Sequence, residues 1–140
     1  YHKHHWLVEG PQFPDLHDFF EENYVEVHKY ADRIAERVTA LGGIPTSSPA
    51  KQDELSHVEH EPEGTYRLRP MLEHDLNGER VLSTIVRDAI DVALKHGDNG
   101  TRRELEKVLT KSEARAHHVD HLLGDDPLEL GLTADKTLKS

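Results

Sequence analysis

The stretch HHWLVEGPQFPDLHDFFEENYVEVHKYADRIAERV, residues 4–38, decides the fold. After a break at Glu9-Gly10-Pro11, apolar residues recur at intervals of three and four: Leu16, Phe20, Tyr24, Val27, Ala31, Ile34, Val38 and Leu41. That period belongs to an amphipathic α-helix with one buried seam. Asp15, after Pro14, predicts the N-cap, and Gly42-Gly43 supplies a left-handed residue to stop the helix at Leu41. Ahead of the break, residues 1–8 read as the last turns of an earlier helix.

The polar side of the same helix carries His17, Glu21, His28, Asp32 and Glu36 at spacings of four, seven, four and four. At 1.5 Å of rise per residue this stripe is about 28 Å long, far too long for one metal ion. His17 with Glu21, and Asp32 with Glu36, each share a face at i and i+4. The position numbers of His17 and Glu36 add to 53, and so do those of Glu21 and Asp32. An antiparallel copy of the helix, turned about a two-fold axis near residue 26 or 27, therefore sets His17 opposite Glu36 and Glu21 opposite Asp32. Two-fold interfaces are self-complementary in this way. The stripe then divides into two half-sites, each completed by a partner, with His28 close to the axis.

Further along, residues 44–63 form a polar connection with Pro45, Pro49 and Pro62, too long for a tight turn, with a short helix near 50–56. Such a connection crosses from one end of a bundle to the other. A second long helix is expected over 68–96, with Met71, Leu72, Leu76, Val81, Leu82, Ile85, Ala89, Val92 and Ala93 as its apolar positions. GDNGT interrupts it, and Thr101 is the expected cap of a third helix running to Leu123 with Leu105, Leu109, Ser112, Ala116, Val119 and Leu123 inward. No strand pattern competes, so the class is all-α: a four-helix bundle with one long crossover over 1–123, with most of its first helix missing, and a C-terminal tail over 124–140.

Composition narrows the chemistry. The 27 acidic residues outnumber 17 basic ones, for a net charge of −10. Such a surface attracts cations and repels phosphate backbones and anionic membranes. Twelve histidines beside many carboxylates suit divalent iron, zinc or manganese. The absence of cysteine excludes disulfides and thiolate ligands. No apolar run approaches a membrane span and no signal peptide is visible, which points to a cytoplasmic protein. A di-iron bundle complete within one chain calls for two Glu-x-x-His motifs, and only Glu54–His57 is found, inside the proline-rich connection.

The His5-Trp6 pair, then Gly10-Pro11-x-Phe13, Leu16-His17, Asp32-x-x-x-Glu36-Arg37 and the closing Gly42-Gly43 together resemble the Dps family. These are the mini-ferritins named for DNA protection during starvation. The likeness is strongest over residues 4–45, and EARAHHVDHLL, residues 113–123, is similar to the end of the last helix in cyanobacterial and haloarchaeal forms.

The resemblance implies a shell of twelve identical subunits with tetrahedral symmetry. Such a shell oxidises ferrous iron, with hydrogen peroxide preferred over oxygen, and stores a ferric mineral. It also implies an iron site between subunits, His5 and His17 from one and Asp32 and Glu36 from the other. Glu21 stands where the family usually has aspartate. His28 and His117 are additional candidate metal ligands, and His117 falls where many relatives have a large aromatic residue beside the iron site. Zinc is a competing ion. Trp6 is expected at the interface. His2, His4, His118 and His121 are expected outside the site, and Asp98 and Glu104 are candidates for an iron inlet pore. DNA binding is the alternative function, with a nucleoid-associated location. The charge opposes it, since Lys136 and Lys139 face four acidic residues in the C-terminal tail.

Overall fold

A computed structural model describes residues 1–124. It contains five helices: α1 (His2–Leu7), α2 (Phe13–Ala40), α3 (Pro49–Leu55), α4 (Leu68–Lys95) and α5 (Asn99–Leu122). There is no strand among the described residues. The expected tail from residue 125 onward lies outside the described residues.

Cross-helix contacts fix the directions. His5 meets His17 while His2 meets Tyr24, so α1 runs antiparallel to α2. Phe19 touches His118 at one end of α2 and Arg37 bonds Asp98 at the other, so α2 is antiparallel to α5. Glu79 with Arg115 and Arg87 with Glu113 make α4 antiparallel to α5 as well. Helices α2 and α4 are therefore parallel, and residues 41–67 must return the chain from one end to the other. This is the long crossover that the proline-rich connection predicts, and α3 is its short helix, with no buried residue.

The long helices end as their glycines dictate. Gly42 (φ 83°) follows α2 and Gly97 (φ 68°) follows α4. At α2, the amides of Gly43 and Gly42 donate to the carbonyls of Val38 and Thr39, and Asp98 and Gly97 do the same to Ala93 and Leu94. A left-handed residue thus satisfies carbonyls that have no partner inside the helix.

The helix starts differ from the sequence reading. Helix α2 begins at Phe13, and Asp15 lies inside its first turn rather than at the cap. Pro14 causes this, because its fixed φ and missing amide suit the first helical positions. At α5 the cap is Asp98, whose carboxylate accepts from the Thr101 amide at 3.0 Å and also bonds the Thr101 hydroxyl. Thr101 is the recipient of the cap, not its source.

Two apolar clusters form the core. One joins Val8, Leu16, Phe19, Phe20, Leu72, Leu76 and Val119 at the α1 end. The other joins Val86, Leu105 and Val108 at the far end, with Tyr30, Ile34 and Leu82 half-buried against them. Leu16 and Phe20 from the expected α2 seam are buried, but Tyr24, Val27, Ile34 and Val38 are half-buried and Ala31 and Leu41 are exposed. Val92 is likewise exposed rather than inward. The seam thins because only α4 and α5 flank α2 at its far end among the described elements.

Charged groups fill the space between the clusters. Arg115 and Glu79 are both buried, and Arg115 also donates to Glu26 at 2.8 Å. Ser112 donates to Glu79 at 2.6 Å and contacts Ser83 at 3.0 Å. Burial disfavours the guanidinium charge, but the Glu79 carboxylate outweighs it and raises the Arg115 pKa.

Candidate metal centre

Three potential ligands meet on one chain. His5, His17 and Glu21 each place one ligand atom within 4.8 Å of the others. Helix geometry explains two of them, since His17 and Glu21 are one turn apart on α2. His5 arrives from α1, which folds back on α2 after the Gly10 turn, so that the two imidazole rings face each other at 3.9 Å.

The position of His5 fixes its tautomer. Its Nδ1 lies 3.0 Å from the His17 carbonyl oxygen. A carbonyl only accepts, so Nδ1 carries the proton and Nε2 keeps the lone pair that a metal requires. Tyr24 stands edge-on to the His5 ring at 5.5 Å and stacks on His2 at 4.0 Å. His5 and His17 are half-buried, while Glu21 is exposed.

The rest of the stripe is not brought to this cluster within the chain. Asp32 and Glu36 lie further along α2, exposed, and so does His28. The carboxylates of Glu21, Asp32 and Glu36 have no hydrogen-bond or ion-pair partner among the described residues. Other exposed carboxylates, among them Glu22 and Asp91, are unpaired in the same way, whereas Glu26, Glu61, Glu79 and Glu104 are held by cations.

His117 is on the outer face of α5, beside His121 and apart from the three-residue cluster. Trp6 is 67 % exposed, resting against His2. The two inlet candidates are occupied. Asp98 accepts from Arg37 at 2.9 Å, and Glu104 accepts from Arg33 at 2.6 Å and from Lys107 at 2.7 Å. Both carboxyls are held below their usual range. Thr101 is the main cause at Asp98, with Arg37 contributing, and Lys107 followed by Arg33 is the cause at Glu104.

Sequence reasoning missed the surroundings of His4. This ring is 2 % exposed, with Nδ1 2.8 Å from Asp75 and Nε2 3.2 Å from Glu61. It is a structural histidine that pins the crossover and α4 to α1. Lys3 reinforces it through Glu61 at 2.9 Å.

The comparisons with known proteins agree with this architecture. The family model described as a ferritin-like domain matches residues 1–128. The nutrient stress-induced DNA-binding protein of Nostoc sp. is 44% identical over 131 residues, covering 94% of this chain and 71% of that one. The DNA protection during starvation protein of Halobacterium salinarum is 39% identical over 126 residues, covering 90% of this chain and 69% of the relative. Among solved structures, the archaeal Dps homologue from Halobacterium salinarum has a TM-score of 0.87 at 39% identity, covering 90% of this chain and 70% of that chain. Dps from Staphylococcus aureus gives 0.85 at 30% identity, covering 89% and 83%. With its helix order, its parallel α2 and α4 and its histidine-carboxylate cluster, the chain belongs to the Dps family of ferritin-like proteins.

Proposed function

We propose that this protein is a ferroxidase that oxidises ferrous iron between paired subunits and stores the ferric product inside a twelve-subunit shell of tetrahedral symmetry. The observation that carries this reading is the cluster of His5, His17 and Glu21, within 4.8 Å of one another, with no cation from the protein bound to Glu21. Ferrous iron is the substrate. His5 Nε2 and the His17 ring are neutral donors, and Glu21 is an anionic one. Asp32 and Glu36 of a second copy complete the set when two α2 helices pair antiparallel about residue 26 or 27. Carboxylate-rich ligation favours the ferric over the ferrous ion, which makes iron easier to oxidise. Each peroxide reduced to two waters takes up one electron from each of a pair of ferrous ions and two protons from solvent, so oxidation does not release hydroxyl radical.

The pairing accounts for another exposed residue. Val25 is 52 % exposed on the same face, and its position number and that of His28 also add to 53. In the pair Val25 is covered by His28 of the second copy, which makes His28 a neighbour of both sites. The extra methylene of Glu21 is the departure from the usual family aspartate. Imidazole and carboxylate discriminate weakly among divalent ions, so zinc competes for the same ligands. Among the described residues no helix is long and apolar enough to cross a membrane, and a cytoplasmic shell fits the reading.

Ferrous iron oxidation at increasing peroxide, compared between wild type and the Asp32→Ala, Glu36→Ala double variant, tests the site. Oxidation and iron uptake fall together in the double variant, and unchanged rates would overturn the reading. Mass measurement at neutral pH tests the assembly separately, since a stable monomer would leave each half-site incomplete.

DNA binding is a second reading, supported by the names of the Nostoc and Halobacterium relatives. The net charge of −10 opposes it. A gel shift over a salt series decides, because phosphate-driven binding weakens steeply as salt rises.

A further inference from the structure

Imidazole rings come within 5 Å of each other at two places among the described residues. One is His5–His17 at 3.9 Å, in the centre described above, and the other is His117–His121 at 4.2 Å. The second pair stands one turn apart on α5, on the face opposite Ser112, Arg115 and Val119, which are buried. Both residues are exposed, and neither ring has a hydrogen bond or an ion pair with the described residues. Their neighbour His118 is different, turned toward Phe19 with ring centres 4.7 Å apart.

We propose that His117 and His121 form a second metal-binding site, contained in one chain, for a borderline divalent cation such as zinc or cobalt. Histidines at i and i+4 on one helical face present two imidazole nitrogens to the same ion, as in helical zinc motifs. Imidazole suits this class of metal better than magnesium or calcium. The site is open, so water fills the remaining coordination positions, and the acidic surface raises the local concentration of cations. Asp120 lies on the neighbouring edge of the helix, joined to Arg80 only at 3.7 Å. No second copy of the chain is needed, and the site stands or falls independently of the ferroxidase reading.

The test is zinc binding by equilibrium dialysis to the His17→Ala protein, in which the interface site is already disabled. It is compared with the same protein carrying either His117→Ala or His121→Ala in addition. Both positions are exposed, and circular dichroism verifies that the helices persist. At equal free zinc the His17→Ala protein holds one more ion per chain than either double variant, and each added substitution weakens that ion by at least about tenfold. Equal zinc uptake by all three proteins overturns the proposal.

Discussion

Arg115 donates to both carboxylate oxygens of Glu79, at 2.6 Å through Nε and 3.1 Å through Nη2, in the middle of the bundle. The side chains are 5 % and 3 % exposed, so each charge depends on the other in place of water. Removing one partner strands a buried charge. Arg115→Met is expected to destabilise the protein by about 3–5 kcal/mol, whereas the double change with Glu79→Met costs far less. Thermal unfolding at fixed protein concentration measures both. A single variant no worse than the double one would show that the pair is not coupled.

Complementation tests the proposed two-chain ferroxidase site. Assemblies of His17→Ala chains alone or Glu36→Ala chains alone lack every complete ligand set. In a mixed pair one of the two sites recovers all its ligands and the other loses both residues. An equal mixture, dissociated and reassembled, therefore regains about a quarter of wild-type ferroxidase activity. No recovery on mixing would mean that His17 and Glu36 do not share a site.

Acid should loosen the contact between α2 and α5. Burial pushes the Glu26 carboxyl up, but hydrogen bonds from Lys111 and Arg115 prevail and hold it below its ordinary 4.5. Glu104 is lowered in the same direction by Lys107 and Arg33. A carboxyl lowered in the folded state contributes its full stability above its unfolded pKa and loses it as pH falls through the folded one. The thermal midpoint therefore declines as pH drops below 4.5, and Glu26→Gln flattens that decline. An equally steep decline in the variant would remove Glu26 from the account.

Asp98 combines two tasks, capping α5 and receiving Arg37. Asp98→Ala loses both and lowers the thermal midpoint. Asp98→Asn keeps a good capping side chain and recovers most of the loss, with the charge contact to Arg37 gone. The gap between the two variants at low and high salt separates the cap, which salt does not screen, from the ion pair.

Elements that rest on local periodicity were legible before the structure. Helices α2, α4 and α5 follow the recurrence of Leu16, Met71, Leu105 and their partners, and the glycine stops follow backbone sterics at Gly42 and Gly97. Capping was harder to read, because Asp98, Asn99 and Thr101 are all competent. Asp98 prevails by also taking the Arg37 guanidinium, 61 positions away. The buried charges were invisible for the same reason. Glu79 and Arg115 lie 36 positions apart, and neither has a pattern that announces the other. The site divides in the same way. His17 and Glu21 can be read from a one-turn spacing, whereas His5 lies 12 positions before His17 and reaches it only through the α1–α2 fold-back. Spacing alone does not assign it, and its place in the sequence reading came from family resemblance.

The charged layer between the two apolar clusters also bears on how the protein would breathe. The cluster at the α1 end holds seven buried residues and anchors the His5, His17 and Glu21 half-site, while the far cluster holds three. Sparse apolar burial lowers the cost of local opening, so amide exchange should be faster at the far end, which carries Asp32 and Glu36. In the proposed antiparallel pair each site shared between subunits joins the firm half of one chain to the loose half of its neighbour. A bound ion would then tighten each chain where its own core holds it least.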